Sequence, residues 1–238
     1  MSTSPTAGLS QSPSRRDFFK RAGLGLGAVA SVSFLQACDS NDFDDDADVM
    51  LDFSSDVDIL NYAYALEQLE AAFYDTVVTD SAFSSTFTAD QRGILNDLAA
   101  HEAIHRDFLA AAIQGAAGTS ALIPNLTPDF SSVNFGSMMS VLGTAQALED
   151  TGVGAYNGAG RYIQNDDYLL IAGKIVSVEA RHASVISGLI QANTIAGNGV
   201  VDSNGLDQLL RPASVVGRNG AATPFITESI SVVLPSMS

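Results

Sequence analysis

Six side chains stand out for what their types and spacing can do together: Glu67, Glu102, His105, Glu149, Glu179 and His182. Glu102 and His105 are three residues apart, as are Glu179 and His182, so on a helix each pair projects side by side and can grip one ion. At 100° per residue, Glu102 shares its face with Ile94, Leu95, Leu98, Leu109 and Ile113, and His105 lies about 60° away. Glu179 falls among Ala172, Ile175, Ile186, Ile190 and His182. Glu149 has Leu142, Ala145 and Tyr156 for companions, and Glu67 has Leu60, Ala63 and Tyr74. Each acid therefore sits mid-stripe on an apolar face, where an unpaired carboxylate would be severely destabilising. The basic residues beside the histidines, Arg106 and Arg181, point off the stripe. Two divalent cations would balance four carboxylates, with two neutral imidazoles completing the shell. Hard oxygen mixed with imidazole nitrogen suits iron or manganese, and zinc is compatible.

Three neighbours extend the set. Glu70, one turn beyond Glu67, is a candidate extra or exchanging ligand; the third helix carries Gly152 at the equivalent position, so the site need not be symmetric. Tyr74 and Tyr156 are candidates to donate hydrogen bonds to the ligands or to relay electrons; as amphipathic core residues they would otherwise fill space beneath the site, a better fit than a redox role. His101 projects 100° from Glu102 and is expected at a surface or edge.

Positioning these residues requires four helices, and apolar residues recur at helical spacing in four blocks. The first runs from about 57 to 78. The second runs from about 89 to 114, opened by Thr88 with Gln91 three residues on, a capping-box pattern. The third spans about 136–164 and the fourth about 167–192, with Gly115, Asn165 and Asn193 as expected ends. A moderate loop rich in Ser and Thr joins the first two helices and a very short turn the last two, whereas 115–135, with Pro124 and Pro128, carries no helical pattern. Two helical hairpins joined by one long crossover between helices 2 and 3 predict an all-α, ferritin-like four-helix bundle.

The halves also repeat. Ala65-Leu66-Glu67 with Tyr74 matches Ala147-Leu148-Glu149 with Tyr156, and Glu102-Ala103-Ile104-His105 matches Glu179-Ala180-Arg181-His182. Together with the block Asp58–Tyr74 and the string Leu148-Glu149-Asp150-Thr151-Gly152, these motifs resemble bacterial and plant ferritin-like proteins related to the desiccation-related group. The resemblance covers the bundle, somewhat over half the chain. It implies a di-metal carboxylate centre with Glu67, Glu102, His105, Glu149, Glu179 and His182 as the matching ligands, and it settles no activity.

The remainder of the chain reads as address and tether. Ser14-Arg15-Arg16-Asp17-Phe18-Phe19-Lys20, before a short glycine-rich apolar run, resembles a twin-arginine export signal over residues 1–37. Leu35-Gln36-Ala37-Cys38 looks like a lipobox, and Cys38 is the only cysteine, so lipidation at Cys38 would anchor the mature chain in the cell envelope or periplasm without a spanning helix. Nine aspartates between 39 and 58 predict a flexible acidic tether over 38–56. The bundle then occupies 57–193, and 194–238 forms a tail packed on or near it. With 27 acidic against 11 basic residues, a net charge of −16 argues against nucleic acid and anionic lipid surfaces as partners.

Two functions follow from these readings. One is a redox-active di-iron or di-manganese protein whose partner is a small oxidant, dioxygen or peroxide, or ferrous iron itself. The other is a non-enzymatic envelope protein with a structural metal, serving stress or desiccation protection or protein contacts; no nucleophile elbow, nucleotide loop or cysteine-rich redox centre is visible. Pairing into a homodimer fits either, whereas a sealed storage cage sits poorly with a lipid on every subunit.

Overall fold

The structure, a computed structural model, describes residues 47–197, 199–217 and 220–235. Four long helices dominate it: α1 (Asp56–Thr79), α2 (Ala89–Ala117), α3 (Met138–Ala159) and α4 (Asp166–Ile190). Each start is written locally. Ser55 caps α1 by accepting from Asp58 N, and Asp56 and Asp58 set negative charge in its first turn. Thr88 and Gln91 form the reciprocal capping box of α2. Ser137 and Asn165 cap α3 and α4. Asn165 is thus the start of a helix where the sequence pattern suggested an end. Gly115 likewise lies inside α2, which stops at Gly118, where φ of +87° suits a residue without Cβ.

α1 packs chiefly against α2, and α3 against α4, as two hairpins. Asp56 accepts from the backbone N–H groups of Gln164 (2.7 Å) and Asn165 (2.8 Å), so α1 and α4 begin at the same end of the bundle. The crossover then runs the length of α1, pinned by buried amides on that helix. Asn61 Nδ2 donates to the Ala121 carbonyl (2.8 Å) and Asn61 Oδ1 accepts from Ile123 N (3.0 Å). Two turns on, Gln68 Oε1 accepts from Leu126 N (2.9 Å). Farther along, Phe130 stacks edge-on against Phe73. Paired in this way, the crossover's polar backbone can lie against the core without a desolvation penalty.

The tether expected over 38–56 does not stay solvated throughout. Val49–Asp52 is a strand, β1, paired in parallel with β2 (Ile230–Val233) in the register Val49↔Ile230. Alternation places Val49 and Leu51 inward, followed by the fully buried Phe53, so apolar burial overrides the charge of Asp52 between them and Asp48 beside them. Other parts of the C-terminal segment are also seated, although 203–209 are exposed. Leu210 N donates to the Gly154 carbonyl (2.8 Å), and Leu210 lies on Gly154 and Gly158 of α3, where any side chain would collide with it. The export-signal string, the lipobox and Cys38 lie outside the described residues.

Candidate metal centre

Halfway along the bundle the four helices turn their acids inward: Glu67 from α1, Glu102 and His105 from α2, Glu149 from α3, Glu179 and His182 from α4. All four glutamates are 0% exposed and His182 is 4%. The helical stripes account for this, since Leu95, Leu98, Leu109 and Ile113 are buried around Glu102, and Ile175 and Ile186 around Glu179.

The donor atoms gather into two overlapping groups. Glu67, Glu102, His105 and Glu179 each offer an atom within 4.8 Å of the others, and so do Glu102, Glu149, Glu179 and His182. Glu102 and Glu179 belong to both. His105 Nδ1 lies 2.8 Å from Glu179 Oε1 and 3.5 Å from both Glu67 Oε2 and Glu102 Oε2. His182 Nδ1 lies 2.6 Å from Glu102 Oε1 and 3.6 Å from Glu149 Oε2 and Glu179 Oε2.

Close as they are, these atoms do not satisfy one another. Both Nδ1 atoms, both oxygens of Glu102 and of Glu179, and Oε2 of Glu67 and of Glu149 are buried without a hydrogen bond of proper geometry. One N–H vector cannot aim at three oxygens, and natural cores rarely tolerate orphaned polar atoms. Eight such atoms converging from four helices fit divalent cations, which bind several donors at once.

The opposite oxygens of the outer acids are held by tyrosines. Tyr74 on α1 donates to Glu149 Oε1 on α3 (2.6 Å), and Tyr156 on α3 donates to Glu67 Oε1 on α1 (2.5 Å). This exchange follows the internal repeat and leaves Oε2 of each acid facing the centre. Glu70, 2% exposed, reaches the site's edge but joins neither four-donor group. It fills the space that Gly152 leaves, because a Cβ there would stand 2.9 Å from Glu70 Oε1, and its Oε2 is unpartnered.

Without metal, the electrostatics are those of a crowded acid cluster. Burial pushes Glu67 well above the usual carboxylate range, with Glu179 adding to the effect; burial and the surrounding carboxylates do the same to Glu70. Glu149 is pushed up to about 8, mainly by burial. Burial also opposes the charge on Glu102, but His105 and His182 outweigh it and hold that carboxyl at about 2. Both imidazoles resist burial for the same reason: their acidic neighbours push His105 and His182 up to about 12.

Arg106 pairs with Asp107 and Arg181 with the Ser177 carbonyl, off the stripe, so neither neutralises the core. His101 does more than occupy an edge. It is exposed, yet its Nδ1 lies 3.0 Å from His182 Nε2 across the seam between α2 and α4. The only signal in the sequence was its place one turn before His105, and helical projection cannot say what stands opposite.

Fold and centre together define a class, a four-helix bundle whose buried carboxylates and imidazoles are able to hold divalent metal. The chain belongs to the ferritin-like domain family, whose model matches residues 55–192. A comparison with curated proteins finds no match.

Proposed function

We propose that this is an exported ferritin-like protein holding two iron or manganese ions in the bundle core and reacting there with dioxygen, peroxide or ferrous iron. The carrying observation is the pair of four-donor groups sharing Glu102 and Glu179. Glu67 and His105 would complete one metal position, Glu149 and His182 the other. Iron or manganese bound there supplies one-electron redox chemistry and Lewis acidity.

The chain's own groups do the rest. Tyr74 and Tyr156 orient Glu149 and Glu67 so that one oxygen of each faces inward. Glu70, kept protonated by burial and its acidic neighbours, holds a proton one turn from the ligands. A cavity of about 20 Å³ with an apolar wall, including Leu66 and Tyr156, lies in the bundle core; none of the six donors lines it, and Tyr156, which donates to Glu67, is its link to the centre. A water there would lack polar partners, so the cavity suits a small apolar molecule such as dioxygen.

Export to the periplasm or cell envelope is supported by the resemblance of Ser14–Lys20 to a twin-arginine signal and of Leu35–Cys38 to a lipobox. No described helix is long and apolar enough to cross a membrane. The test is to load the protein with ferrous iron without oxygen, then add dioxygen or peroxide and follow absorbance by stopped flow. Oxidant-dependent spectral change with repeated turnover is expected. Bound metal with no response to any oxidant would refute the redox reading and leave a structural site.

A further inference from the structure

His101 lies outside the six-donor set, and the geometry of its contact with His182 is specific. The two rings are 14° from coplanar with centroids 5.2 Å apart. The nitrogen-to-nitrogen distance of 3.0 Å, plus about 1.1 Å from each nitrogen to its ring centre, nearly reproduces that separation. Both nitrogens therefore lie on the line between the ring centres, and the contact is an in-plane N–H···N hydrogen bond rather than a face-to-face stack.

Proton positions follow from the centre. Nδ1 of His182 faces Glu102, Glu149 and Glu179, so it must be bare to bind metal. A neutral imidazole with bare Nδ1 carries its proton on Nε2, and His101 Nδ1 is there to accept it. The exposed His101 then keeps its own proton on Nε2. The repeat gives the other half no such partner: Glu179-His182 matches Glu102-His105, so the counterpart of His101 is Val178, which has no side-chain donor or acceptor.

Resting on the metal-centre reading above, we propose that His101 is a positioning residue for one of the two metal positions, fixing the tautomer and ring orientation of His182 so that Nδ1 is presented to the ion. The centre is therefore asymmetric, its Glu149–His182 position supported by a histidine from outside where the repeat places Val178 beside the other. Partners of metal-binding histidines typically contribute about 10- to 100-fold in affinity.

The test uses the full chain with cobalt(II) as the probe. Wild type should fill two positions. His101→Ala should weaken one position by about 10- to 100-fold and leave the other unchanged. His101→Asn, whose Oδ1 sits where Nδ1 did, should restore most of the loss. A metal-independent readout accompanies this: metal-free, ¹⁵N-labelled protein should show a coupling across the hydrogen bond between His182 Nε2 and His101 Nδ1. Unchanged cobalt binding in His101→Ala, equal weakening of both positions, no rescue by Asn, or absence of the coupling would each overturn the assignment. Coupling present in a wild type that takes up no cobalt would instead sink the metal-centre reading, and this role with it.

Discussion

Filling the core with two divalent ions should expel close to four protons near pH 7. In the metal-free protein His105 and His182 are pushed up to about 12 by the carboxylates around them, so both are imidazolium at neutral pH. Burial raises Glu149 to about 8 and Glu67 well above the usual range, so each of these also carries a proton. Glu102, held at about 2 by the two imidazoles, has none to release. Metal ligands must be bare, so the release is two protons from the histidines and two from Glu67 and Glu149. The overall constant for binding both ions should then rise about four decades per pH unit between about pH 5.5 and 7.5, or ~5.4 kcal/mol at 1.36 kcal/mol per proton. Above pH 8 the slope should fall, because Glu149 deprotonates unaided. Calorimetric titration in buffers of different ionisation enthalpy counts the protons directly. A count of about five would mean that Glu70 also enters the shell. A count below about one would refute the charge distribution described here.

The metal-free fold should show the opposite slope. Glu149 is raised from 4.5 to about 8, so its contribution is fully present below 4.5 and is lost as pH rises through 8. Glu67 and the two histidines, also raised, act in the same direction. The melting temperature of chelated protein should therefore fall between about pH 5 and 9, and a rising melting temperature would contradict this. Tyr156→Phe removes the donor from buried Glu67 Oε1 and should cost ~1–3 kcal/mol in chemical denaturation, as should Tyr74→Phe at Glu149; a loss below ~0.5 kcal/mol would show that the acids find other donors. Gly158→Ala would drive a Cβ into the Leu210 carbonyl oxygen. It should destabilise by ~1–3 kcal/mol and expose the Leu210 amide to hydrogen exchange, and unchanged protection would mean that the tail is not seated on α3.

The helices and the acids inside them were legible because their signals are local. A 3.6-residue stripe carrying Glu67, Glu102, Glu149 and Glu179, with a cap at Thr88, needs no knowledge of partners, whereas Asn165 reads equally as an end and as the cap it is. The crossover was visible as missing periodicity, yet its route along Asn61, Gln68 and Phe73 was not, because amides that satisfy a distant backbone look like any polar residue. Strand β1 was hidden for a related reason: four residues that pair with a segment about 180 positions away leave little but an alternation inside an acidic run. Gly118 rather than Gly115 ends α2, since the choice depends on which residue takes positive φ. Glu70 against Gly152, and His101 against His182, are contacts between helices, and a single-helix projection holds no information about what stands opposite.

On the proposed function, six side chains from four helices hold two metal ions. Elemental mass spectrometry of the purified protein, beside a Glu102→Ala/His105→Ala variant confirmed as helical by circular dichroism, tests it most directly. Two iron or manganese ions per chain in the wild type, clearly fewer in the variant, is the predicted result. A wild type that stays folded, arrives without metal and takes up none when offered iron, manganese or zinc would contradict it.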